Sequence, residues 1–415
     1  MPTFAPVAEQ MEYIQREALE ILPEETLERK LDRSRRTGEP LRVKQGFDPT
    51  RPDLHIGHAV SIRMLRTFQE LGHEVIFVVG DYTARVGDPS GRSDTRPRLT
   101  PEEIAAHART YAQQVGRILD VSGARVEYNS SWLAPLDLAR ILELTGTYTV
   151  ARMLERDDFA KRYAEQRPIS VMEFMYPLMQ AYDSVALNAD IELGGTDQKF
   201  NLLVARTVQE RYGQEPQVCV IMPLLRGTDG EQKMSKSYDN YIGIAEPATE
   251  QYGKTMSIPD ALLQEWTRLA APLPPTELAA ALALAASDPY RAKRDLARRI
   301  AALYHGDDEA ALAESHFDRL FRDHAPPEAV AELTLALDDG RLRVAERGGV
   351  WLPGLLVAAG LAGSNAEAGR LIDQGAVAVD EQRVADRNAA IPVRPGTSLL
   401  LRRGKRHFMR VTFGG

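Results

Sequence analysis

The 415-residue chain contains a single cysteine, Cys219. A disulfide framework and a zinc cage built from several cysteines are therefore excluded. Long apolar runs are scarce as well, because the unbroken run from Val75 to Val79 is far too short to span a bilayer. The first residues lead into a polar helical pattern without the apolar core of a signal peptide. We therefore expect a cytoplasmic protein that has no membrane partner.

An excess of basic charge is also missing. The 51 basic and 59 acidic side chains give a formal net charge of −8, so the whole molecule is not a basic nucleic-acid coat. The charge is nevertheless uneven along the chain. Residues 350–415 hold nine Lys and Arg against five Asp and Glu, a local balance of +4, which leaves −12 for the remainder. This difference indicates a small basic module attached to an acidic body.

Two generic nucleotide-binding motifs are missing too. No Gly-x-Gly-x-x-Gly opens a helix after a strand, and the stretch from Gly87 to Ser93 lacks the lysine and the spacing of a P-loop. That stretch is better interpreted as a tight turn that presents Asp88. Nucleotide chemistry in this chain must therefore use other motifs.

Strand and helix signals alternate through the first two thirds of the chain. A helix is expected to begin near His55, and a capping box at Thr100 opens another. The strand candidates are residues 41–46, 75–79, 125–128, 191–193 and 217–221. Such alternation predicts an α/β fold with a Rossmann-like parallel sheet, which binds its ligands at the carboxyl ends of the strands.

Composition shifts predict the domain organisation. Residues 1–240 are predicted to form the Rossmann-like catalytic domain, and 241–330 an alanine-rich helical domain. A linker is expected over 331–349, between a proline pair and a glycine pair. Residues 350–415 show a helix–helix–strand order that predicts a small α+β domain.

The first motif with chemical content follows the strand that ends near Gly46. It consists of Asp48-Pro49-Thr50 and then His55-Ile56-Gly57-His58. Backbone N–H groups at a helix start favour phosphate, and imidazoles beside them can donate to its oxygens. Gly57 would let a base or a ribose approach the backbone closely. Alone, two histidines three residues apart are usually a coincidence, and no third ligand at metal spacing supports zinc.

The second motif is the pentapeptide Lys233-Met234-Ser235-Lys236-Ser237. Lysines three residues apart in a glycine-flanked loop can both reach one polyphosphate. In isolation the pentapeptide is more often an exposed turn. Its position 175 residues after His58 (233 minus 58), within one predicted α/β domain, favours a phosphate-binding role.

Two further clusters carry polar side chains into the same domain. Tyr176, Gln180 and Asp183 fall at i, i+4 and i+7, so they share one helix face that could line a polar slot or simply face solvent. A strand end and a glycine turn place Asp197 at a helix start, where it could bind a ribose; this stretch is Gly194-Gly195-Thr196-Asp197-Gln198.

Together with Gly46 to Thr50 and Gly87 to Gly91, these motifs resemble bacterial tyrosyl-tRNA synthetases, which are class I aminoacyl-tRNA synthetases. The resemblance covers nearly the whole chain, because residues 350–415 resemble an S4-like RNA-binding domain. It implies that 241–330 bind an anticodon. It also implies that ATP activates L-tyrosine to tyrosyl-adenylate, and that tRNA(Tyr) then receives the tyrosyl group.

The resemblance implies a role for each site residue. Catalytic roles are implied for Thr50, His55, His58, Lys233 and Lys236. ATP binding is implied for His55, Gly57, His58, Asp197 and Lys236. Tyrosine binding is implied for Asp48, Thr83, Asp88, Tyr176, Gln180, Asp183 and Gln198. Mg²⁺ is expected to arrive with ATP, held by phosphates and water rather than by a metal site of the protein.

Specificity is expected to rest on Asp183. Phenylalanine would leave this carboxylate without the phenol that donates to it, and this family is known for that asymmetry. Many family members have a tyrosine where this chain has Lys44. Lys44 could donate to the phenolic oxygen, or it could pair with an acidic neighbour and be structural, and we favour the second.

Partners follow from the resemblance and from the basic tail. RNA binding is predicted for Arg370, Arg402, Arg403, Lys405 and Arg406, with Arg410 on the same side. Phosphate contacts of this kind position RNA without reading its bases. A homodimer is expected, with an interface in the apolar and basic stretch from Ile141 to Tyr163. The alternatives are a tryptophanyl-tRNA synthetase and a non-catalytic RNA-binding protein on the same scaffold.

Overall fold

The computed structural model describes residues 4–89, 100–322, 330–343, 349–404 and 407–414. The chain forms two compact units, Met1–Gly306 and Asp307–Gly415. None of the helices in the described ranges combines the length and the apolar character needed to cross a membrane.

A six-stranded sheet forms the centre of the first unit. Its strands are β1 (Glu20–Leu22), β2 (Arg42–Phe47), β3 (Glu74–Val79), β4 (Ala124–Tyr128), β5 (Ile191–Gly195) and β6 (Val218–Met222). The order is β1-β6-β5-β2-β3-β4, and all neighbours are parallel except β1, which runs antiparallel to β6. The predicted parallel α/β sheet is therefore confirmed, as is each of the five strand candidates, within a residue or two at the ends.

Fourteen α-helices of the first unit surround this sheet in the described ranges. They are α1 (Val7–Glu17), α2 (Glu24–Thr37), α3 (Ile56–Glu70), α4 (Pro101–Val115), α5 (Ser130–Leu133), α6 (Leu138–Thr145), α7 (Val150–Met153), α8 (Asp157–Ala164), α9 (Val171–Leu187), α10 (Lys199–Arg211), α11 (Ala248–Met256), α12 (Leu263–Leu269), α13 (Pro275–Ser287) and α14 (Pro289–His305). Helix α4 begins at the predicted capping box, in which the Glu103 N–H donates to the Thr100 hydroxyl (3.2 Å) and the Thr100 N–H donates to the Glu103 carboxylate (2.8 Å).

Both faces of the sheet are covered, which explains why residues Val75–Val79 of β3 are all apolar. Val75, Phe77 and Val79 pack into the main core with α3, whereas Ile76 and Val78 pack with Leu187 on the other face. Side chains alternate between the faces along a strand, so a segment covered on both sides favours apolar residues at consecutive positions.

The order of the strands changes direction between β2 and β5. The chain proceeds from β2 to β3 on one side and from β5 to β6 on the other, so β2 and β5 are neighbours that diverge. A crevice opens at the carboxyl ends of strands at such a point, and ligands of open α/β sheets bind there. The loops after β2, β3, β5 and β6 all reach this crevice.

Helices α12–α14 contribute side chains to the main core of the first unit, and α11 packs on α14. Trp266 and Leu296 are buried in this core together with strand residues such as Val218. The first unit thus extends to Gly306, and the division of 1–306 into a catalytic and a helical domain stays a prediction.

The second unit contains helix α15 (Asp307–Phe321) and a small α+β fold. Its further helices are α16 (Leu352–Ala358) and α17 (Asn365–Asp373), and its strands are β7 (Ala331–Ala336), β8 (Val350–Trp351), β9 (Val377–Val379), β10 (Gln382–Arg383), β11 (Ala390–Ile391), β12 (Ser398–Arg403) and β13 (His407–Gly414). Five strands form one sheet in the order β10-β9-β12-β13-β7, and β8 pairs with β11. The Ser364 hydroxyl caps α17 by accepting from the Glu367 N–H (3.2 Å).

Strand β7 lies where the sequence predicts a linker. It runs parallel to β13, and Leu335 is buried in the core of the second unit. Alternating Leu333 and Leu335 explain the strand, because one face of the ribbon meets the core while the other stays exposed. The proline pair of the predicted linker, Pro326 and Pro327, lies outside the described residues.

Candidate active site

A cavity of about 280 Å³ occupies the crevice at the carboxyl ends of β2 and β5. Every residue predicted to act in catalysis, ATP binding or tyrosine binding lines it. These are Asp48, Thr50, His55, Gly57, His58, Thr83, Asp88, Tyr176, Gln180, Asp183, Asp197, Gln198, Lys233 and Lys236. Residues spread over 189 positions of sequence, from 48 to 236, are thus brought around one space, although their individual roles stay predictions.

The two histidines stack on each other at the start of α3. Their ring centroids are 3.7 Å apart, and the His55 backbone N–H donates to Nδ1 of His58 (3.3 Å). Burial, reinforced by Lys236 and Lys233, lowers the pKa of His58 to about 3. Burial and the neighbouring His58 also lower the pKa of His55 well below its usual value. Both rings are therefore neutral near pH 7, and His58 carries its hydrogen on Nε2, where it can donate to an oxygen.

Gly57 follows directly in the first turn of α3. A Cβ atom at this position would lie 3.0 Å from Nδ1 of His55 and 3.4 Å from Cβ of Met234. A side chain at position 57 would therefore contact both the histidine stack and the loop Lys233–Ser237, which is called the lysine loop below.

The lysine loop contributes two ammonium groups to the cavity. Lys233 Nζ lies 2.5 Å from a carboxylate oxygen of Asp197, and Lys236 Nζ lies 3.4 Å from that of Asp53 and donates to the Asp53 carbonyl. Burial lowers the pKa of Lys236 to about 8, against the opposing effect of Asp53. Met234, which lies between the two lysines, is buried in the main core and anchors the loop.

Asp48 is held rigidly at the end of β2. It accepts from the Tyr176 phenol (2.9 Å) and from the Thr83 hydroxyl (2.7 Å). A Cβ on Gly80 would lie 2.1 Å from an Asp48 carboxylate oxygen, so only glycine fits there. Three predicted tyrosine-binding residues thus form one hydrogen-bonded group.

Asp183 lies at the buried end of the cavity and is 3% exposed. Its carboxylate accepts from the Trp132 indole (2.8 Å) and from the Asn129 amide (3.3 Å). Burial raises the pKa of Asp183 to about 7, although nearby Lys44 and both hydrogen bonds lower it. A buried carboxylate therefore lies against the cavity, and its role as acceptor for a phenol stays a prediction.

Lys44 pairs with an acidic neighbour. Its Nζ lies 2.9 Å from a carboxylate oxygen of Glu192, and each side chain is 1% exposed. Gln180 donates to the same Glu192 oxygen (3.1 Å), so the pair is tied to the cavity wall. The structure thus agrees with the interpretation of Lys44 as a partner of an acidic residue.

Asp88 is linked to Gln198 in another part of the cavity wall. The Gln198 amide donates to one carboxylate oxygen of Asp88 (2.6 Å), and Arg156 Nη2 lies 3.4 Å from the other. Of the predicted motif around Asp88, Ser90 and Gly91 lie outside the described residues.

Several residues that support the site escape sequence reasoning. Asn129, Trp132, Arg156 and Glu192 contact predicted site residues without belonging to a motif. A tryptophan or a lone glutamate has many uses, so only their burial in the structure reveals them. Arg156 stands in the charged stretch Glu155–Asp158, which is typical of an exposed helix start.

No group of three or more His, Cys, Asp or Glu in the described part of the chain could hold a metal ion. The cavity instead offers ammonium groups and neutral imidazoles, which are donors that suit phosphate oxygens.

The predicted RNA-binding arginines lie in the second unit. Arg402 and Arg410 share one face of the β12–β13 ladder, because Arg410 is paired with Leu400, two residues before Arg402. Arg403 points to the other face, where its guanidinium donates to the Leu361 carbonyl (2.7 Å), and Arg370 is exposed on α17. The remaining predicted residues, Lys405 and Arg406, lie outside the described residues.

Curated relatives match this chain over nearly its whole length. The tyrosine–tRNA ligase of Moorella thermoacetica is 53% identical over 408 residues, which cover 98% of this chain and 96% of the relative. The tyrosine–tRNA ligase of Geobacter sulfurreducens is 50% identical over 411 residues, which cover 98% of this chain and 99% of the relative.

Solved structures show the same fold. A C-terminally truncated mitochondrial tyrosyl-tRNA synthetase from Aspergillus nidulans superposes with a TM-score of 0.63 at 23% identity, covering 76% of this chain and 94% of the other. The tyrosyl-tRNA synthetase from Archaeoglobus fulgidus, solved with L-tyrosine, superposes with a TM-score of 0.58 at 24% identity. The match covers 74% of this chain and 100% of the other.

A family model described as tRNA synthetases class I (W and Y) matches residues 36–322, which include the whole lining of the cavity. The chain therefore belongs to the class I tRNA synthetases of the W and Y group, in which its relatives are tyrosine–tRNA ligases.

Proposed function

We propose that the protein is a tyrosine–tRNA ligase. It activates L-tyrosine with ATP to tyrosyl-adenylate and pyrophosphate, and it then transfers the tyrosyl group to the 3′-terminal ribose of tRNA(Tyr). One observation carries the proposal: a buried carboxylate, Asp183, and a pair of lysines, Lys233 and Lys236, line the same cavity. A phenol acceptor and a polyphosphate site in one space fit an enzyme that joins tyrosine to a nucleotide.

In the activation step, no side chain of the protein has to form a covalent bond to the substrates. The tyrosine carboxylate attacks the α-phosphorus, and pyrophosphate leaves with the charge that develops on it. Preorganised donors stabilise that charge, and Lys233, Lys236, His55 and Thr50 surround the space where it would develop. Neutral histidines suit this role, because each can donate a hydrogen bond without repelling the two ammonium groups.

Binding of ATP requires an exchange of partners. Lys233 is paired with Asp197, the residue proposed to bind the ribose. When the nucleotide enters, Asp197 would exchange its contact with Lys233 for hydrogen bonds from the ribose hydroxyls, and Lys233 would bind the phosphates instead. Mg²⁺ would come bound to the phosphates and to water, in keeping with its preference for such ligands.

The tyrosine pocket explains the choice of amino acid. Asp183 would accept from the phenol, while Asp88, Tyr176 and Gln180 would surround the ammonium group. Phenylalanine would bury the Asp183 carboxylate without a donor, and that desolvation penalty would reject it. Tryptophan is the substrate of the other branch of the group. It carries an indole in place of the phenol that Asp183 is proposed to bind, so we expect it to bind less well.

The partners beyond the small molecules form a further part of the proposal. We propose that Arg370, Arg402, Arg403, Lys405 and Arg406 bind tRNA phosphates, and that 241–330 contact the anticodon. A cytoplasmic location is proposed with the function, since the enzyme works where its tRNA is.

A homodimer is also proposed, and exposed apolar side chains support it. Large apolar residues on α6–α9 and their connections face solvent in the single chain: Leu138, Leu142, Val150, Tyr163 and Val171 are between 62% and 79% exposed. Replacing Leu142 by Asp should convert a dimer to a monomer in analytical ultracentrifugation. A wild-type chain that sediments as a monomer at micromolar concentration would refute the dimer.

The function is tested by ATP–pyrophosphate exchange with a panel of amino acids. We expect L-tyrosine to stimulate exchange, and L-phenylalanine and L-tryptophan to do so far less. Stimulation by tryptophan and not by tyrosine would overturn the substrate assignment. A chain that binds tRNA without any exchange would instead be the non-catalytic RNA-binding protein.

A further inference from the structure

Four side chains close a ring of polar contacts behind the tyrosine pocket. Arg156 Nη2 lies 3.4 Å from Asp88, and the Gln198 amide donates to the other oxygen of Asp88 (2.6 Å). The Asn201 amide donates to the Gln198 carbonyl oxygen (3.1 Å), and Arg156 Nη1 donates to the Asn201 oxygen (3.2 Å). Two members, Asp88 and Gln198, line the cavity, whereas Arg156 and Asn201 lie behind them.

The two members of the ring that lie behind the cavity lining, Arg156 and Asn201, are buried. Arg156 is 5% exposed and Asn201 is 0% exposed. The guanidinium also lies over the rings of Phe159 and Phe200, with its central carbon 5.3 and 5.8 Å from their centroids. A buried guanidinium is costly unless its donors are matched, so the fork of Arg156 fixes the orientation of whatever it contacts.

Arg156 bridges two carboxylates. It contacts Asp88, and its Nε also lies 2.7 Å from Asp158. The guanidinium between them offsets the repulsion between Asp88 and Asp158 and ties Asp88 to the start of α8.

From this ring we infer that Arg156 is a positioning residue for the amino-acid substrate. Together with Asn201, it holds Asp88 and Gln198 in the orientation that receives the ammonium group of the substrate. The inference rests on the proposed function, because it assigns the ammonium of tyrosine to this corner of the cavity. Arg156 itself does not touch the substrate. Its effect therefore reaches the ligand only through Asp88 and Gln198.

A purely structural role would give a different pattern of effects. Arg156 joins the start of α8 to α10, so its loss could simply loosen the wall of the cavity. A loosened cavity wall would lower the affinity for every ligand of the pocket. A displaced Asp88 would lower the affinity only for ligands that carry an ammonium group. Ligands with and without that group therefore separate the two roles.

The test uses Arg156→Lys in the full chain, with three probes measured by equilibrium competition. L-Tyrosine carries both charged groups, tyramine keeps the ammonium but lacks the carboxylate, and 3-(4-hydroxyphenyl)propanoate keeps the carboxylate but lacks the ammonium. A lysine retains the charge but cannot span Asp88, Asn201 and Asp158 together. We expect tyrosine and tyramine to bind roughly tenfold or more weakly, while the propanoate changes less than about twofold.

Arg162→Lys is the matched control. Arg162 is another buried arginine of the same region, and it is paired with Glu173 in α9. Its replacement removes the same fork, and we expect it to leave the ratio of tyramine to propanoate affinity unchanged. In exchange assays, Arg156→Lys should raise the KM for tyrosine and leave the KM for ATP unchanged.

Asn201→Ala supplies a second route if Arg156→Lys fails to fold by circular dichroism. It breaks the ring from the other side and should shift the same ratio in the same direction. Equal weakening of all three probes, or no weakening of tyramine, would overturn the inference. A wild-type chain that fails to bind tyrosine would instead overturn the proposed function, before any variant is compared.

Discussion

The two ends of the cavity differ in how firmly their charges are held. At the end proposed to bind phosphate, which is defined by His55, Lys233 and Lys236 and called the phosphate end, the lysines are paired with single carboxylates. Lys233 and Asp197 are 38% and 23% exposed. At the end proposed to bind tyrosine, which is defined by Asp48, Tyr176 and Asp183 and called the tyrosine end, every charge is enclosed by several partners. Asp183 is 3% exposed, and the ion pair behind it is 1% exposed on both sides.

The difference shows where preorganisation is useful. A rigid amino-acid pocket rejects wrong side chains, because a misfit leaves buried polar groups without partners. A phosphate site must release its product, so partners that exchange in water are suitable there. Substitutions at the two ends should therefore fail in different ways: at the tyrosine end through stability and specificity, and at the phosphate end through rate.

The largest effect on stability is expected for Lys44→Met at the tyrosine end. It leaves the Glu192 carboxylate buried without its cation, and breaking a buried pair in this way costs about 3–5 kcal/mol of the free energy of unfolding. Urea denaturation measures the loss. The double variant Lys44→Met/Glu192→Gln restores neutrality and should recover most of it. If the single and double variants were equally unstable, the buried charge would not be the cause.

At the phosphate end, Lys236→Ala should leave the fold intact and lower the rate. Removing a donor to the departing pyrophosphate is expected to slow adenylate formation roughly 100- to 1,000-fold. Single-turnover kinetics measure this rate, and equilibrium binding measures the affinity for tyrosine, which should change little. Equal losses in rate and in tyrosine binding would contradict the proposed contact with pyrophosphate.

Asp183→Asn tests specificity at the tyrosine end. The amide keeps the shape but loses the charge-assisted bond to the phenol, and it no longer penalises phenylalanine with an unpaired carboxylate. The ratio of kcat/KM for tyrosine to that for phenylalanine should fall by roughly two orders of magnitude. Asp53→Asn, a change of the same kind at the phosphate end, should leave this ratio unaltered. A ratio that stayed at the wild-type value in Asp183→Asn would exclude Asp183 as the phenol acceptor.

Much of the fold follows from local patterns in the sequence. The apolar run Val75–Val79 and the capping box at Thr100 each satisfy their own physical requirement, burial on both faces and a pair of cap hydrogen bonds. Strand β7 escapes prediction, because it owes its existence to β13, which follows some 70 residues later. A short alternating segment becomes a strand only where a neighbour supplies the other half of its hydrogen bonds.

The same distinction applies to the cavity. Its lining comes from contiguous motifs such as His55–His58 and Lys233–Ser237, so spacing and the family resemblance identify them. The supports behind the lining do not form motifs. Arg156 stands in a stretch whose charges are typical of an exposed helix start, and only tertiary packing against Phe159 and Phe200 buries its guanidinium.

The smallest expected effect concerns pH, and it distinguishes the two ends without any mutation. Asp183 has a pKa raised to about 7 by burial, so it is ionised above pH 7 and protonated below it. Because the phenol needs an ionised acceptor, the affinity for tyrosine should weaken as pH falls below 7, approaching about tenfold per pH unit. His58, with a pKa of about 3, stays neutral between pH 5 and 7, and Lys236, with a pKa of about 8, stays largely protonated.

The affinity for ATP should therefore be nearly constant between pH 5 and 7, and calorimetric titrations with each ligand over this range check the contrast. The wild type should show the slope for tyrosine and not for ATP, and Asp183→Asn should show it for neither. A slope that survived in Asp183→Asn would place the titrating group elsewhere. Parallel slopes for both ligands would mean that the two ends respond to pH as one site, and that the rigid and the exchangeable charges are not independent.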